Sequence, residues 1–133
     1  MGWSLGGLSA FDIVWQNPQT FGKVGAFSGS FWWRTQNSPD DKFRIMHQIV
    51  NESPYKQGLK MWFMAGTKEE TADRDKDGII DVIDDTLDLI KTLEQKGYKQ
   101  PHDISYQQIE GGQHNVPTWA NQIPAFLEWA FAK

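Results

Sequence analysis

The sequence predicts an α/β fold in which a parallel sheet is flanked by helices. The clearest buried strand is the apolar run at residues 59–65, and the clearest helix is the amphipathic segment at residues 79–97, which ends at a glycine. Because strand-like and helix-like segments alternate along the chain, the strands are expected to pair in parallel. With 133 residues, 39% of them hydrophobic, the chain has the size and composition of one domain with a buried core.

The remaining elements follow from apolar spacing and from turn residues. In chain order they are a helix from Leu5 to Asn17-Pro18, a strand at 23–28, a loop at 30–41, a helix at 42–51, a strand at 103–109 and a helix at 119–131. His47 lies beside the apolar face of its helix and is interpreted as an ordinary helix residue. Pro124 marks either a kink or a new start in the last helix.

Composition and charge exclude several classes of protein. The net charge is −4 and the basic residues form no stripe, which argues against a nucleic-acid partner. No apolar run approaches the roughly 20 residues of a membrane-spanning helix. Cysteine is absent, so disulfides, thiolate metal sites and cysteine catalysis are excluded.

The first seven residues, MGWSLGG, carry the motif around which the chain is organised. Gly2, Ser4 and Gly6 fit G-x-S-x-G, the nucleophile elbow that holds a serine on a sharp strand-to-helix turn in α/β-hydrolases. A Cβ at either flanking glycine is expected to clash. Ser4 would lie at a helix N-terminus, whose unpaired N–H groups favour an oxyanion. The alternative interpretation is a glycine-rich N-terminal cap.

Two further candidates follow predicted strands. Glu69 comes directly after the strand at 59–65, and His114 follows the strand at 103–109 and a glycine pair. The carboxyl ends of parallel strands gather at one edge of a sheet, where ligands bind in open α/β folds. The order Ser4, acid, His114 is that of the α/β-hydrolase triad. Taken singly, Glu69 and His114 are each also explained as surface loop residues.

Aromatic residues offer a candidate substrate wall. Phe31, Trp32 and Trp33 lie in the loop at 30–41, and Trp3 lies within the elbow motif. We expect Trp3, Trp32 and Trp33 to contact the substrate. The alternative for the loop residues is a small hydrophobic cluster beneath the loop.

Residues 73–84, DRDKDGIIDVID, match the twelve-residue calcium loop, with oxygen-bearing residues at positions 1, 3 and 5 and glycine at position 6. The candidate ligands are the carboxylates of Asp73, Asp75, Asp77, Asp81 and Asp84 and the backbone carbonyl of Ile79. A structural Ca²⁺ ion is therefore a candidate cofactor. The alternative is a solvated acidic loop, whose last acids favour the N-terminus of the following helix.

Three stretches resemble one known family. GWSLGGLSAFDIVWQNPQTFGKVGAFSGSFWW, MWFMAGTKEE and GGQHNVPTWANQIPAFLEWAF are similar to esterases related to enterochelin esterase, feruloyl esterases and S-formylglutathione hydrolase. The resemblance implies a partial α/β-hydrolase fold, in which Ser4 is the nucleophile, His114 the base and Glu69 the acid. The family more often has aspartate at the acid position, which leaves Glu70 or Asp73 as alternatives.

The resemblance also implies that residues 1–133 are the C-terminal portion of one esterase domain that starts at the elbow, because family members have several strands before the serine. The Leu5 N–H is then the one oxyanion donor that can be named, and exposed sheet edges could support self-association.

The resulting hypothesis is a carboxylic-ester hydrolase that acts on a small-molecule ester through an acyl-enzyme. The alternatives are a non-catalytic hydrolase remnant and a calcium-binding structural module. A calcium loop is better suited to a compartment rich in calcium, which favours a periplasmic or secreted full-length parent.

Overall fold

The computed structural model describes residues 1–36, 38 and 41–132 of the chain. Four strands and four α-helices alternate along it. They are β1 (Gly2–Trp3), α1 (Leu5–Gln16), β2 (Lys23–Phe27), α2 (Ile45–Glu52), β3 (Lys60–Gly66), α3 (Asp81–Lys96), β4 (Ile104–Ile109) and α4 (Val116–Phe131). A 3₁₀ turn, Asp41–Phe43, precedes α2.

The strands form one sheet in the order β1-β2-β3-β4, and each neighbouring pair is parallel. The predicted α/β fold with a parallel sheet is confirmed. All four strands therefore end at the same edge, where the segments after β1, β2, β3 and β4 carry Ser4, Ser28, Glu69 and His114 in that order. This arrangement brings residues distant in sequence to one place.

The core lies on both faces of the sheet because successive strand residues point to opposite sides. In β3, Met61 and Phe63 face a large apolar cluster that includes residues of α1, α2 and α3. The alternate residues, Trp62 and Met64, pack against Trp119 and Phe126 of α4. Among the described residues, no helix is both long and apolar enough to cross a membrane.

Several boundaries differ from the sequence-based expectation. The last helix begins at Val116 rather than residue 119, because the Asn115 side chain caps it by accepting a hydrogen bond from the Thr118 N–H at 3.0 Å. Pro124 lies inside this continuous helix. The helix predicted at 79–97 begins at Asp81, since Ile80 has an extended conformation. Within the predicted loop at 30–41, residues 37, 39 and 40 lie outside the described part of the chain.

A buried cluster of ion pairs joins α2 to α3 and to the acidic loop. The Arg44 guanidinium donates to Asp85 and to Asp88, both at 2.7 Å, and Arg74 pairs with Asp85 and, at 2.7 Å, with Asp81. The Asp85 side chain is only 1% exposed. Burial raises the pKa of Asp85, and its two arginine partners oppose that change.

His47 lies next to this cluster, on α2 as the sequence predicts, and its side chain is buried. Its Nε2 lies 2.9 Å from the Asp85 carbonyl oxygen, an acceptor, so Nε2 carries the proton of the neutral ring. Nδ1 is buried and makes no hydrogen bond within the described part of the chain. Burial, aided by the nearby Arg44 charge, lowers the pKa of His47 to about 3.

His47 should therefore make folding sensitive to acid. Between pH about 6.5 and 3, the unfolded chain binds a proton at His47 that the folded chain does not, so the free energy of unfolding falls as pH falls through this range. We expect His47→Gln to reduce the slope of the free energy of unfolding against pH by up to about 1.4 kcal/mol per pH unit. Urea unfolding of the unmodified chain and of His47→Gln at pH 7, 6, 5 and 4 measures the two slopes. Equal slopes would contradict the role given to His47.

Candidate active site

Ser4 lies on a strained turn between β1 and α1. Its backbone has φ 54° and ψ −128°, a region that side-chain-bearing residues seldom adopt and that costs about 1–3 kcal/mol. Two hydrogen bonds hold it against β2 and the segment that follows. The Ser4 N–H donates to the carbonyl of Phe27, the last residue of β2, at 3.0 Å, and the Ser4 carbonyl accepts from the Ser30 N–H at 3.1 Å. The turn is therefore anchored through both of the peptide groups that flank the Ser4 Cα.

The glycines of the elbow do not share one role. A Cβ on Gly2 would lie 2.2 Å from the Gly6 carbonyl oxygen, which is backbone and cannot move aside. A Cβ on Gly6 meets nothing within 4 Å beyond its own helix, so the expected clash at that position is wrong. The second crowded position is Gly7, whose Cβ would lie 3.2 Å from the Cα of Gly29. Helix α1 thus packs closely at Gly2 and Gly7.

Ser4, His114 and Glu69 form a continuous chain of hydrogen bonds. His114 Nδ1 lies 2.8 Å from Oε2 of Glu69, and His114 Nε2 lies 3.0 Å from Oγ of Ser4. A carboxylate can only accept, so Nδ1 is the protonated nitrogen of the neutral ring and Nε2 is free to accept the Ser4 hydroxyl proton. The Glu69 side chain is 1% exposed, whereas that of His114 is 39% exposed.

The other oxygen of Glu69 is also occupied. Its Oε1 accepts from the Gly66 N–H at 2.5 Å and from the Ser28 hydroxyl at 2.6 Å. Ser28 follows β2, is 1% exposed and has a φ of 48°. Sequence reasoning missed Ser28, although its place at the carboxyl end of a predicted strand, at the same edge as the other three residues, was a usable signal.

The loops that carry Glu69 and His114 are fastened together. The Thr67 N–H donates to the Ile109 carbonyl at 3.0 Å, and the Lys68 N–H donates to the Gly112 carbonyl at 2.8 Å. A Cβ on Gly66 would lie 2.3 Å from the Gly112 carbonyl oxygen, so the approach requires glycine. The acid and the histidine are thus held by backbone contacts that do not involve their side chains.

Trp119 packs behind the histidine. Its ring lies edge-on to the His114 ring, with centroids 5.0 Å apart, and it stacks on Trp3 at 5.7 Å. The indole N–H donates to Ser28 Oγ at 2.8 Å. Trp3 therefore contacts the rear of the site through Trp119, and its expected substrate contact remains a prediction.

A cleft of about 330 Å³ opens beside the triad, and its lining includes Ser4, Leu5, Trp32 and His114. Leu5 is the first residue of α1, where the N–H has no partner within the helix. Trp32 and Glu70 also line an adjoining cavity of about 450 Å³. Trp33 lines a separate cavity with Leu8 and Met46. Of the three tryptophans expected at the substrate, the structure thus brings Trp32 to the cleft.

The alternative acids lie elsewhere. Glu70 accepts a hydrogen bond from the Val82 N–H at 2.8 Å, at the start of α3. Burial raises the pKa of Glu70, and the nearby acids Asp81, Asp85 and Glu69 raise it further. Asp73 accepts from the backbone N–H groups of the acidic loop. The structure brings Glu69, and neither alternative, to His114.

The acidic loop gathers part of the expected ligand set. Carboxylate oxygens of Asp73, Asp75 and Asp77 lie within 4.8 Å of one another. The backbone N–H groups of Asp77, Gly78 and Ile79 donate to these carboxylates, and Gly78 has a φ of 92°.

Two of the expected carboxylate ligands lie outside this group. Asp81 is instead paired with Arg74, at 2.7 Å from Nη1 and 2.8 Å from the backbone N–H. Asp84 lies in the first turn of α3, and its pKa is raised to about 6 by burial and by the charges of Asp88, Asp75 and Asp77.

A serine on a strained elbow, a histidine and a buried carboxylate, at the carboxyl edge of a parallel sheet, are the defining arrangement of the α/β-hydrolase class. Residues 1–130 match the family described as "Putative esterase". The chain belongs to this esterase family.

One curated relative is similar in sequence along the whole chain. Over 134 aligned residues the chain is 28% identical to the protein named "Uncharacterized protein YbbA" of Bacillus subtilis (strain 168), covering 100% of this chain and 48% of YbbA. The chain thus spans about half the length of this curated relative.

Two solved structures superpose well. The enterobactin esterase Fes of Shigella flexneri, crystallised in the presence of 2,3-dihydroxy-N-benzoyl-serine, has a TM-score of 0.72 and 23% identity, over 96% of this chain and 29% of Fes. The siderophore hydrolase EstB of Aspergillus nidulans has a TM-score of 0.62 and 18% identity, over 96% of this chain and 47% of EstB. These structures show that the fold is shared.

The two elbow glycines give a matched pair of variants. Gly2→Ala should disrupt the turn, because the new Cβ would collide with backbone, whereas Gly6→Ala should raise the free energy of unfolding by about 0.4–1 kcal/mol through better helix propensity. Urea unfolding of both variants measures the effects. Equal destabilisation by the two substitutions would contradict the steric assignment.

Proposed function

We propose that this chain contains the catalytic machinery of a carboxylic-ester hydrolase that works through an acyl-enzyme. The observation that carries the proposal is the unbroken chain of hydrogen bonds from Ser4 Oγ through His114 to Glu69, at 3.0 and 2.8 Å. Membership of the esterase family and the cleft beside Ser4 support the same chemistry.

In the proposed reaction, His114 Nε2 takes the Ser4 proton as Oγ attacks the ester carbonyl carbon. The imidazolium so formed lies against the buried Glu69 carboxylate, which stabilises its charge and keeps the ring oriented. The proton then passes to the leaving alcohol as the tetrahedral intermediate collapses to an acyl-Ser4. Water, deprotonated by His114, releases the acid and restores Ser4.

The developing oxyanion would lie at the start of α1, where the Leu5 N–H is the proposed donor. The positive end of the helix dipole favours negative charge at this place. Removal of one such donor in other enzymes costs about 2.7–4 kcal/mol of transition-state stabilisation, so even a single donor is significant. Trp32 lies at the junction of the cleft and the adjoining cavity, where it would contact the bound ester.

The nucleophile assignment is tested by Ser4→Ala, with Ser105→Ala on β4 as the control serine. Hydrolysis of p-nitrophenyl acetate should fall by at least about 10³-fold in Ser4→Ala, because the triad loses its nucleophile, and should be unchanged in the control. A fluorophosphonate probe should label the unmodified chain at Ser4.

Equal rates in the unmodified and Ser4→Ala chains would remove the assignment. A chain that folds but neither hydrolyses the ester nor reacts with the probe would instead support the non-catalytic alternative.

We propose secondly that the acidic loop binds Ca²⁺ as a structural ion. The fit is favourable in donor chemistry, since Ca²⁺ takes six to eight oxygen ligands and the carboxylates of Asp73, Asp75 and Asp77 already converge within 4.8 Å. The Ile79 carbonyl and Asp84 would complete the set with water. Asp81 is paired with Arg74 in this structure, so its contribution would require that pair to open.

Calcium binding predicts a rise in thermal stability. At a free Ca²⁺ concentration of 100 times Kd, the free energy of unfolding should increase by about 2.7 kcal/mol, because the ion binds the folded loop. Asp75→Ala should abolish this increase, whereas Asp12→Ala, a surface acid on α1, should preserve it. Calorimetric titration and thermal melts at millimolar Ca²⁺ provide the measurement, and an unchanged melting temperature in the unmodified chain would overturn the proposal.

A further inference from the structure

Ser28 stands out among the buried residues that the triad chemistry does not use. It follows β2, it is 1% exposed, and its φ of 48° is unfavourable for any residue with a Cβ. Its backbone is fixed by the Ser28 N–H, which donates to the Met64 carbonyl at 2.8 Å. A polar side chain in a strained, fully buried position needs a physical reason.

The hydrogen bonds of Ser28 determine the direction of its hydroxyl proton. Trp119 Nε1 lies 2.8 Å from Ser28 Oγ, and an indole N–H can only donate, so Oγ is the acceptor of that bond. The single hydroxyl proton is then available for another partner. Glu69 Oε1 lies 2.6 Å away, whereas the weakly accepting sulfur of Met64 lies at 3.6 Å. The proton therefore points to Glu69.

The two oxygens of Glu69 are consequently divided between two tasks. Oε1 accepts from Ser28 and from the Gly66 N–H, and Oε2 accepts from His114. Glutamate has one more rotatable bond than aspartate, so its carboxylate needs more restraint to present one oxygen to the histidine. The two donors on Oε1 supply that restraint, one from the last residue of β3 and one from the segment after β2.

We propose that Ser28, held by Trp119, is a positioning residue that fixes the Glu69 carboxylate against His114. Its effect on turnover rests on the proposed esterase function. Trp119 also lies edge-on to the His114 ring, with centroids 5.0 Å apart, so one indole restrains both the histidine and, through Ser28, its acid. The hydroxyl of Ser28 acts through Glu69 and does not itself contact the reacting atoms.

The test compares Ser28→Ala with a closely matched control. Ser53 is a half-buried serine whose Oγ likewise accepts from a tryptophan, Trp15 Nε1 at 3.1 Å, and donates onward to the Ile49 carbonyl. Ser53→Ala therefore removes the same kind of bond away from the triad. Ser28→Gly provides a second variant, because glycine tolerates the positive φ and separates loss of the hydroxyl from backbone strain.

We expect kcat for p-nitrophenyl acetate to fall about tenfold or more in both Ser28→Ala and Ser28→Gly, with KM little changed, as for loss of a hydrogen bond to a charged group. Ser53→Ala should retain the kcat of the unmodified chain. In a Glu69→Ala background, Ser28→Ala should cause no further loss, because the group that it positions is absent. A loss of equal size in that background would show a general structural effect and overturn the proposal.

A second measurement does not require turnover. The proton shared by His114 Nδ1 and Glu69 should give a downfield ¹H resonance in the full chain, and Ser28→Ala should move it upfield or abolish it, whereas Ser53→Ala should not. An altered resonance in a chain without esterase activity would support the positioning role and count against the proposed function. An unaltered resonance together with an unaltered kcat would overturn the positioning role alone.

Discussion

The candidate site depends on the close approach of two backbones at Gly66 and Gly112. Two parallel strands that end side by side leave their loops free to diverge, and any side chain at Gly66 would force them apart. Because the loops touch, the N–H groups of Thr67 and Lys68 reach the carbonyls of Ile109, at the end of β4, and of Gly112, in the loop after it. Glu69 and His114 therefore meet although they are 45 residues apart in sequence. Backbone contacts therefore set the distance between the two loops, and the Glu69 and His114 side chains meet because of it.

The same principle applies to Ser4. Its strained conformation persists because hydrogen bonds to Phe27 and Ser30 and the tight packing of Gly2 and Gly7 determine the turn from several directions. Each strand thus contributes one polar residue at its carboxyl end, and a neighbouring segment fixes each of them. In enzymes generally, polar groups that are held in place in this way need no reorientation during the reaction, and the electrostatic stabilisation they give is usually the largest single contribution to catalysis.

Much of the fold was predictable because it follows from local patterns. The parallel sheet followed from the alternation of strand-like and helix-like runs, and the place of His47 on a helix followed from the apolar spacing around it. Motif order predicted which residues the sheet edge would gather, since Ser4, Glu69 and His114 each follow a strand. Contacts between segments could not be read in this way. The free space at Gly6, the bond of Ser28 to Glu69 and the pairing of Asp81 with Arg74 depend on three-dimensional neighbours.

The buried pairing of Asp85 with both Arg44 and Arg74 constrains how this sequence can change over evolutionary time. Loss of either arginine leaves a buried carboxylate partly uncompensated, and loss of Asp85 leaves two guanidinium groups crowded together. Each single replacement is costly, whereas concerted replacement by well-packed apolar residues can be nearly neutral. Related sequences should therefore keep all three residues or replace them together. Substitutions in α3, in the acidic loop and at the start of α2 are thus expected to be correlated.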